Sequence, residues 1–83
     1  MHIPALHTYS MYSITQDDFS IRTAESALEE IHSILQRMRE LAVQATNDTL
    51  TLQDRECLQL EIDKLKEQIE LQNNIYMVAM IEA

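Results

Sequence analysis

The 83-residue sequence has no glycine and no tryptophan, one proline, Pro4, one cysteine, Cys57, and only 5% aromatic residues. A chain this poor in glycine and proline has few means of making tight turns or sheets, so long helices should dominate it. One cysteine excludes an internal disulfide, and Cys57 with three scattered histidines offers no metal-ligand spacing. Basic residues are scarce too: six Lys and Arg stand against 14 Asp and Glu, a formal net charge of -8. With no run of Lys or Arg, the composition argues against a sequence-independent nucleic-acid binder, and the sign of the charge disfavours docking on an anionic membrane. The longest strongly apolar run, Ile75 to Ile81, falls far short of the roughly 20 residues that span a bilayer. The start, MHIPALHTYS, lacks the basic region, apolar run and cleavage site of a conventional secretory signal.

What is present is helical periodicity. From Ser26 to Asn47 no breaker occurs, and apolar residues recur three and four apart at Ile21, Ala24, Leu28, Ile31, Leu35, Met38, Ala42 and Ala45. A second row at Ala27, Ile34 and Leu41 widens this stripe. Glu29, Glu30, Gln36, Arg37, Glu40 and Gln44 occupy the other side, as a solvated face. Asp17, Asp18 and Ser20 supply helix-start chemistry, which predicts a loosely ordered segment over 1–15 and a first helix starting between Asp17 and Thr23, about 18–46. A turn is expected over 47–51, with Asn47 in a left-handed cap position. Thr51 and Asp54 then form a capping-box-like start to a second helix, about 52–82. Its stripe is Leu58, Ile62, Leu65 and Ile69, weakening through Gln72, Tyr76 and Ala79.

A short connection between two helices favours antiparallel neighbours. The expected fold over 16–83 is therefore all-α: an antiparallel hairpin whose wide stripes require further helices, from self-association or from a partner, to complete a bundle. Leu28, Ile31, Leu35, Met38, Leu58, Ile62, Leu65 and Ile69 are its expected core residues. At this size a single core is marginal without such help.

No constellation of enzymatic chemistry accompanies this pattern. The acidic residues lack the inward Glu-x-x-His spacing of a carboxylate metal site, His32 flanks the stripe, and Cys57 at the stripe edge is expected to be a half-buried small hydrophobe. No catalytic, cofactor or metal site is expected.

The blocks TAESALEEIHSILQRMRELAVQATNDTLTLQDR and EIDKLKEQIE, from Thr23 onward, resemble the N-terminal helical part of the outer core domain of bacterial flagellins. Two departures stand out: Asp18 replaces a usual glycine, and one residue is missing before Thr23, which turns the upstream stripe by about 100°. Before Ser20 and beyond Glu70, where LQNNIYMVAMIEA follows, the resemblance lapses, so a truncated copy is expected. The resemblance implies a non-enzymatic structural segment of the filament subunit that acts by helix packing and assembly, located in the flagellum or outside the cell, or in the cytoplasm if not exported. Export in that family runs through the flagellum itself. The alternative is a free-standing module that homodimerises, or binds flagellin or a flagellar export chaperone in trans. By motif position, Arg37, Glu40, Leu41 and Glu61 correspond to the family's surface for subunit contact and for the innate immune Toll-like receptor.

Overall fold

The computed structural model describes the backbone of residues 3–83 and the side chains of residues 17–83. The fold is all-α. Helix α1 spans Ile3–Gln44 (42 residues) and α2 spans Leu52–Glu82 (31 residues), and they pack side by side as an antiparallel hairpin. The Cα atoms fill 76 × 15 × 11 Å, a layer one helix thick. No described helix is long and apolar enough to cross a membrane.

The first helix starts well before the expected point. It runs unbroken from Ile3 through most of the segment expected to be loosely ordered, and Gln16-Asp17-Asp18 does not start it. Pro4 lies in its first turn, where a missing amide costs nothing, and no later glycine or proline interrupts propagation.

One continuous row of α1 faces α2: Ser20, Ala24, Ala27, Ile34 and Leu41 are buried, with Ile31, Met38 and Ala45 half-buried among them. On α2 the row is Leu58, Ile62, Leu65, Ile69, Gln72 and Tyr76, all half-buried, ending at buried Ala79. Spacings of four and three are the repeat that keeps a seam facing its partner in a coiled coil. Leu28 and Leu35 are corrections for the hairpin. They are 48% and 51% exposed, and with Ile21 they lie one helical step outside the seam. Two apolar rows one residue apart compete on α1, and a side-by-side pair seats only one. The seated row carries the small Ser20, Ala24 and Ala27, which allow close approach, and it sets Arg37 beside Glu61.

The connection contains no glycine and, among the described residues, no positive φ, so Asn47 does not take the left-handed cap. The end of α1 tightens instead, with Thr46 N–H donating to the Val43 carbonyl and Asn47 N–H to the Gln44 carbonyl, both at 3.1 Å. The Asn47 side-chain oxygen accepts from the Thr49 amide (3.0 Å) and hydroxyl (2.7 Å), an Asx turn. Arg55 reaches back from α2 and donates to the carbonyls of Ala45 (3.1 Å) and Asn47 (3.3 Å). The Ala45 carbonyl is one that the helix end leaves without a backbone partner, whereas the Asn47 carbonyl also accepts from Leu50 N–H at 3.4 Å. At the start of α2, Thr51 Oγ1 accepts from Asp54 N–H (3.1 Å) while Asp54 Oδ2 accepts from Thr51 N–H (3.0 Å), a complete capping box.

Leu41 is the largest side chain with no exposure. Leu41→Ala should destabilise the hairpin by about 2–5 kcal/mol, whereas Leu35→Ala should stay within about 0.5 kcal/mol, in thermal melts followed by circular dichroism. Equal losses would show that Leu35 also sits in the folded core of the single chain.

The Asp54 carboxyl is held below its ordinary value, first by the Thr51 backbone amide and then by the Thr51 side chain. A depressed folded pKa contributes stability above the unfolded value, about 3.9, and that stability is lost as pH falls through the folded value. Acid also relieves repulsion in a chain of net charge -8, so total helicity is a poor reporter. The Thr51 amide resonance should titrate with a midpoint below about 3.9. A midpoint at or above that would remove the cap from the pH response.

Candidate subunit-contact surface

Because each residue advances about 100° around a helix, residues one step to either side of the seam open onto opposite broad faces of the layer. On α1, Ile21, Leu28, Leu35 and Ala42 open onto one face, at intervals of seven residues. They form an exposed apolar row roughly 32 Å long. Thr23, Glu30, Arg37 and Gln44 open onto the other, together with Glu61, Gln68, Ile75 and Glu82 of α2.

Arg37 organises this second face. Its Nε and Nη2 donate to the same Glu61 oxygen at 3.1 and 2.9 Å, and its Nη1 donates to Glu40 at 3.1 Å. Among the described residues this is the only ion pair that links the two helices. The hydrogen bond that Arg37 donates to Glu61, followed by the one it donates to Glu40, raises its pKa above its already high ordinary value, so the group stays charged. All three side chains remain at least 42% accessible. Exposed ion pairs contribute little to stability. What the arrangement provides is orientation: a guanidinium fixed between two carboxylates and open to solvent.

The structure thus brings Arg37, Glu40 and Glu61 together and separates Leu41 from them. Leu41 is fully buried in the seam, which corrects its assignment to the contact surface. It lies four residues after Arg37, a little over one turn, and that excess rotates it from the open face to the seam. Ile31, Met38, Leu58, Ile62, Leu65 and Ile69 line the seam half-buried. Cys57 is exposed instead of half-buried, because Leu58 beside it takes the seam position and turns it outward.

Two features escaped the sequence reading. Arg55 clasps the end of α1, although the unmatched carbonyls of a helix end within reach of a nearby basic residue are a readable signal. At the open end of the hairpin, Phe19, Thr23, Ile75, Val78 and Ala79 line a shallow apolar hollow of about 320 Å³. Phe19 and Val78 stand alone in the periodicity, and only the antiparallel pairing makes them neighbours. Among the described residues no group of three or more His, Cys, Asp or Glu is placed to hold a metal ion.

The model of the bacterial flagellin N-terminal helical region matches residues 10–79. The match extends upstream of Ser20 and past Glu70, through most of the stretch whose residues depart from the family pattern. The flagellin of Clostridium tyrobutyricum is 56% identical over 59 residues, 70% of this chain and 16% of that protein. The flagellin of Halalkalibacterium halodurans is 58% identical over 57 residues, 68% of this chain and 21% of its own length. The flagellar filament 41 kDa core protein of Borreliella burgdorferi is 45% identical over 49 residues, 59% of this chain and 15% of that protein. The chain therefore spans about a fifth or less of the relatives it matches. No solved structure matches it. A glycine-free helical hairpin whose sequence follows the flagellin N-terminal helical region over most of its length is a member of the bacterial flagellin family.

Proposed function

We propose that this flagellin segment acts, without enzymatic activity, as one layer of a filament subunit's outer core bundle, completed by a flagellin C-terminal helix in the same or another chain. The observation that carries this reading is the open apolar row Ile21, Leu28, Leu35 and Ala42 on a layer only 11 Å thick. Such a row is larger than the scattered apolar residues that ordinary surfaces expose, and a helix laid along it extends the bundle by the same knobs-into-holes packing as the seam. Leu28 and Leu35, outside the hairpin seam, belong in this reading to the completed core. The flagellum, reached by flagellar export, is the place of action.

The opposite face, with Arg37 held between Glu40 and Glu61, is the proposed surface for contact between subunits and, by family resemblance, for Toll-like receptor recognition. A flagellar export chaperone is a further proposed partner, since an uncovered helical stripe needs cover before assembly. The free-standing module that pairs with itself is the weaker reading, because membership of the flagellin family already accounts for the open row.

A synthetic peptide of the C-terminal helix of the Clostridium tyrobutyricum flagellin should bind the chain saturably and raise its helicity. Leu28→Glu with Leu35→Glu should weaken that binding at least about tenfold, since two charges would enter an apolar interface. Absence of saturable binding, or binding indifferent to both substitutions, would remove the row from bundle completion.

Arg37→Ala should leave the melting of the hairpin unchanged while reducing co-sedimentation with polymerising flagellin. Lost helicity in this variant would instead assign Arg37 to folding of the hairpin.

A further inference from the structure

We propose that the 45–51 connection is a hinge, and that two copies of this chain exchange α2 across it to form an elongated antiparallel dimer. Nothing in the backbone chemistry of ATNDTLT forbids helix: it contains no glycine or proline, and no described residue has a positive φ. Besides three short-range backbone bonds, to the carbonyls of Val43, Gln44 and Asn47, the turn is held by side chains. Arg55 donates to two carbonyls, Thr46 Oγ1 donates to the Val43 carbonyl, Asn47 Oδ1 accepts from Thr49, and Thr51 pairs with Asp54. All of these bonds are exposed and compete with water. In a continuous helix, backbone amides four residues on would satisfy the same carbonyls.

The spacing of the row is compatible with that continuation, with one apolar residue, Leu52, and two charged ones, Asp48 and Arg55, at the added positions. Extended through the connection, the row Leu41, Ala45 proceeds through Asp48, Leu52 and Arg55 to Leu58 and Ile62. The steps are three and four, with a single repeated three before Leu58, a local overwinding of the kind long coiled coils accommodate. Leu52 is 74% exposed in the hairpin and enters the row when the chain straightens.

Pairing in the exchanged dimer follows from pairing in the hairpin. Arg37 meets Glu61 within one chain, so in the dimer Arg37 of each copy meets Glu61 of the other, with the two-fold axis passing near Thr49. Every seam contact is kept and becomes intermolecular. The exchange gives up the polar bonds of the turn and gains burial of Leu52. Asp48 of the two copies meets close to the axis, a like-charge contact that confines the dimer to high protein concentration.

The test uses the full chain with Cys57→Ser, carrying either Arg37→Cys or Glu61→Cys. The two versions are mixed, warmed and cooled at increasing concentration, and joined with a short bis-maleimide. The expected result is a covalent species joining one copy of each version, rising with concentration, while the radius of gyration of the uncrosslinked parent grows from 20.8 Å towards about 35 Å, as for a continuous rod. Arg55→Ala, which removes the clasp, should raise the dimer association constant about tenfold. Asp48→Pro should abolish the exchanged dimer: proline cannot continue the helix, Asn-Pro favours a turn, and among the described residues the Asp48 amide donates no hydrogen bond in the hairpin. Two results would overturn the proposal. One is the absence of an interchain product in both the parent and Arg55→Ala. The other is a product that persists unchanged in Asp48→Pro, since hairpins packing face to face do not need the hinge to open.

Discussion

Two helices lying side by side can each cover only one strip of the other, and this geometric limit shapes the molecule. The α1 stripe is wider than one strip, and α2 seats against the row that starts with Ser20, Ala24 and Ala27. Ile21, Leu28 and Leu35 are left on an open face. The α2 row is half-buried for the same reason, with only Ala79 reaching full burial. Apolar surface left in water by one layer becomes a driving force once another helix covers it. The packing of the single chain thus leaves apolar surface uncovered, which is the ground for the proposed bundle completion.

A second constraint is the absence of glycine. Where many helices end in a left-handed glycine cap, this chain reverses direction with short polar side chains and a guanidinium that crosses from α2 to the carbonyls of α1. The resulting turn depends on bonds that water can replace, whereas the helices it joins depend on burial. Geometry at the turn is therefore the more easily altered of the two, and the same side chains that close the hairpin define where it can open.

Burial and contact are divided by small rotations. Arg37 and Leu41 are separated by a little over one turn, yet one opens with Glu40 and Glu61 onto a solvated face and the other is sealed between the helices. Resemblance by motif position treats both alike, because a linear motif carries no direction around the helix axis. The ion pair adds little to stability but fixes the direction of a charged group, as the proposed contact with other subunits would need.

The sequence by itself determined that the chain is helical, that it turns back once and that its apolar surface exceeds what it can bury. These follow from local propensity, periodicity and the lack of breakers, all of which act over a few residues. The capping box at Thr51 and Asp54 was legible on the same grounds. On α2 a single apolar row, Leu58, Ile62, Leu65 and Ile69, runs through the middle of the helix and faces α1. On α1 two rows a residue apart satisfy the same periodicity, and no local rule separates them. Only the tertiary structure decided between them, because the choice depends on small residues that let the partner helix approach, and it brings together Arg37 and Glu61, 24 positions apart in the chain. Packing and charge pairing of that kind arise only when distant segments meet.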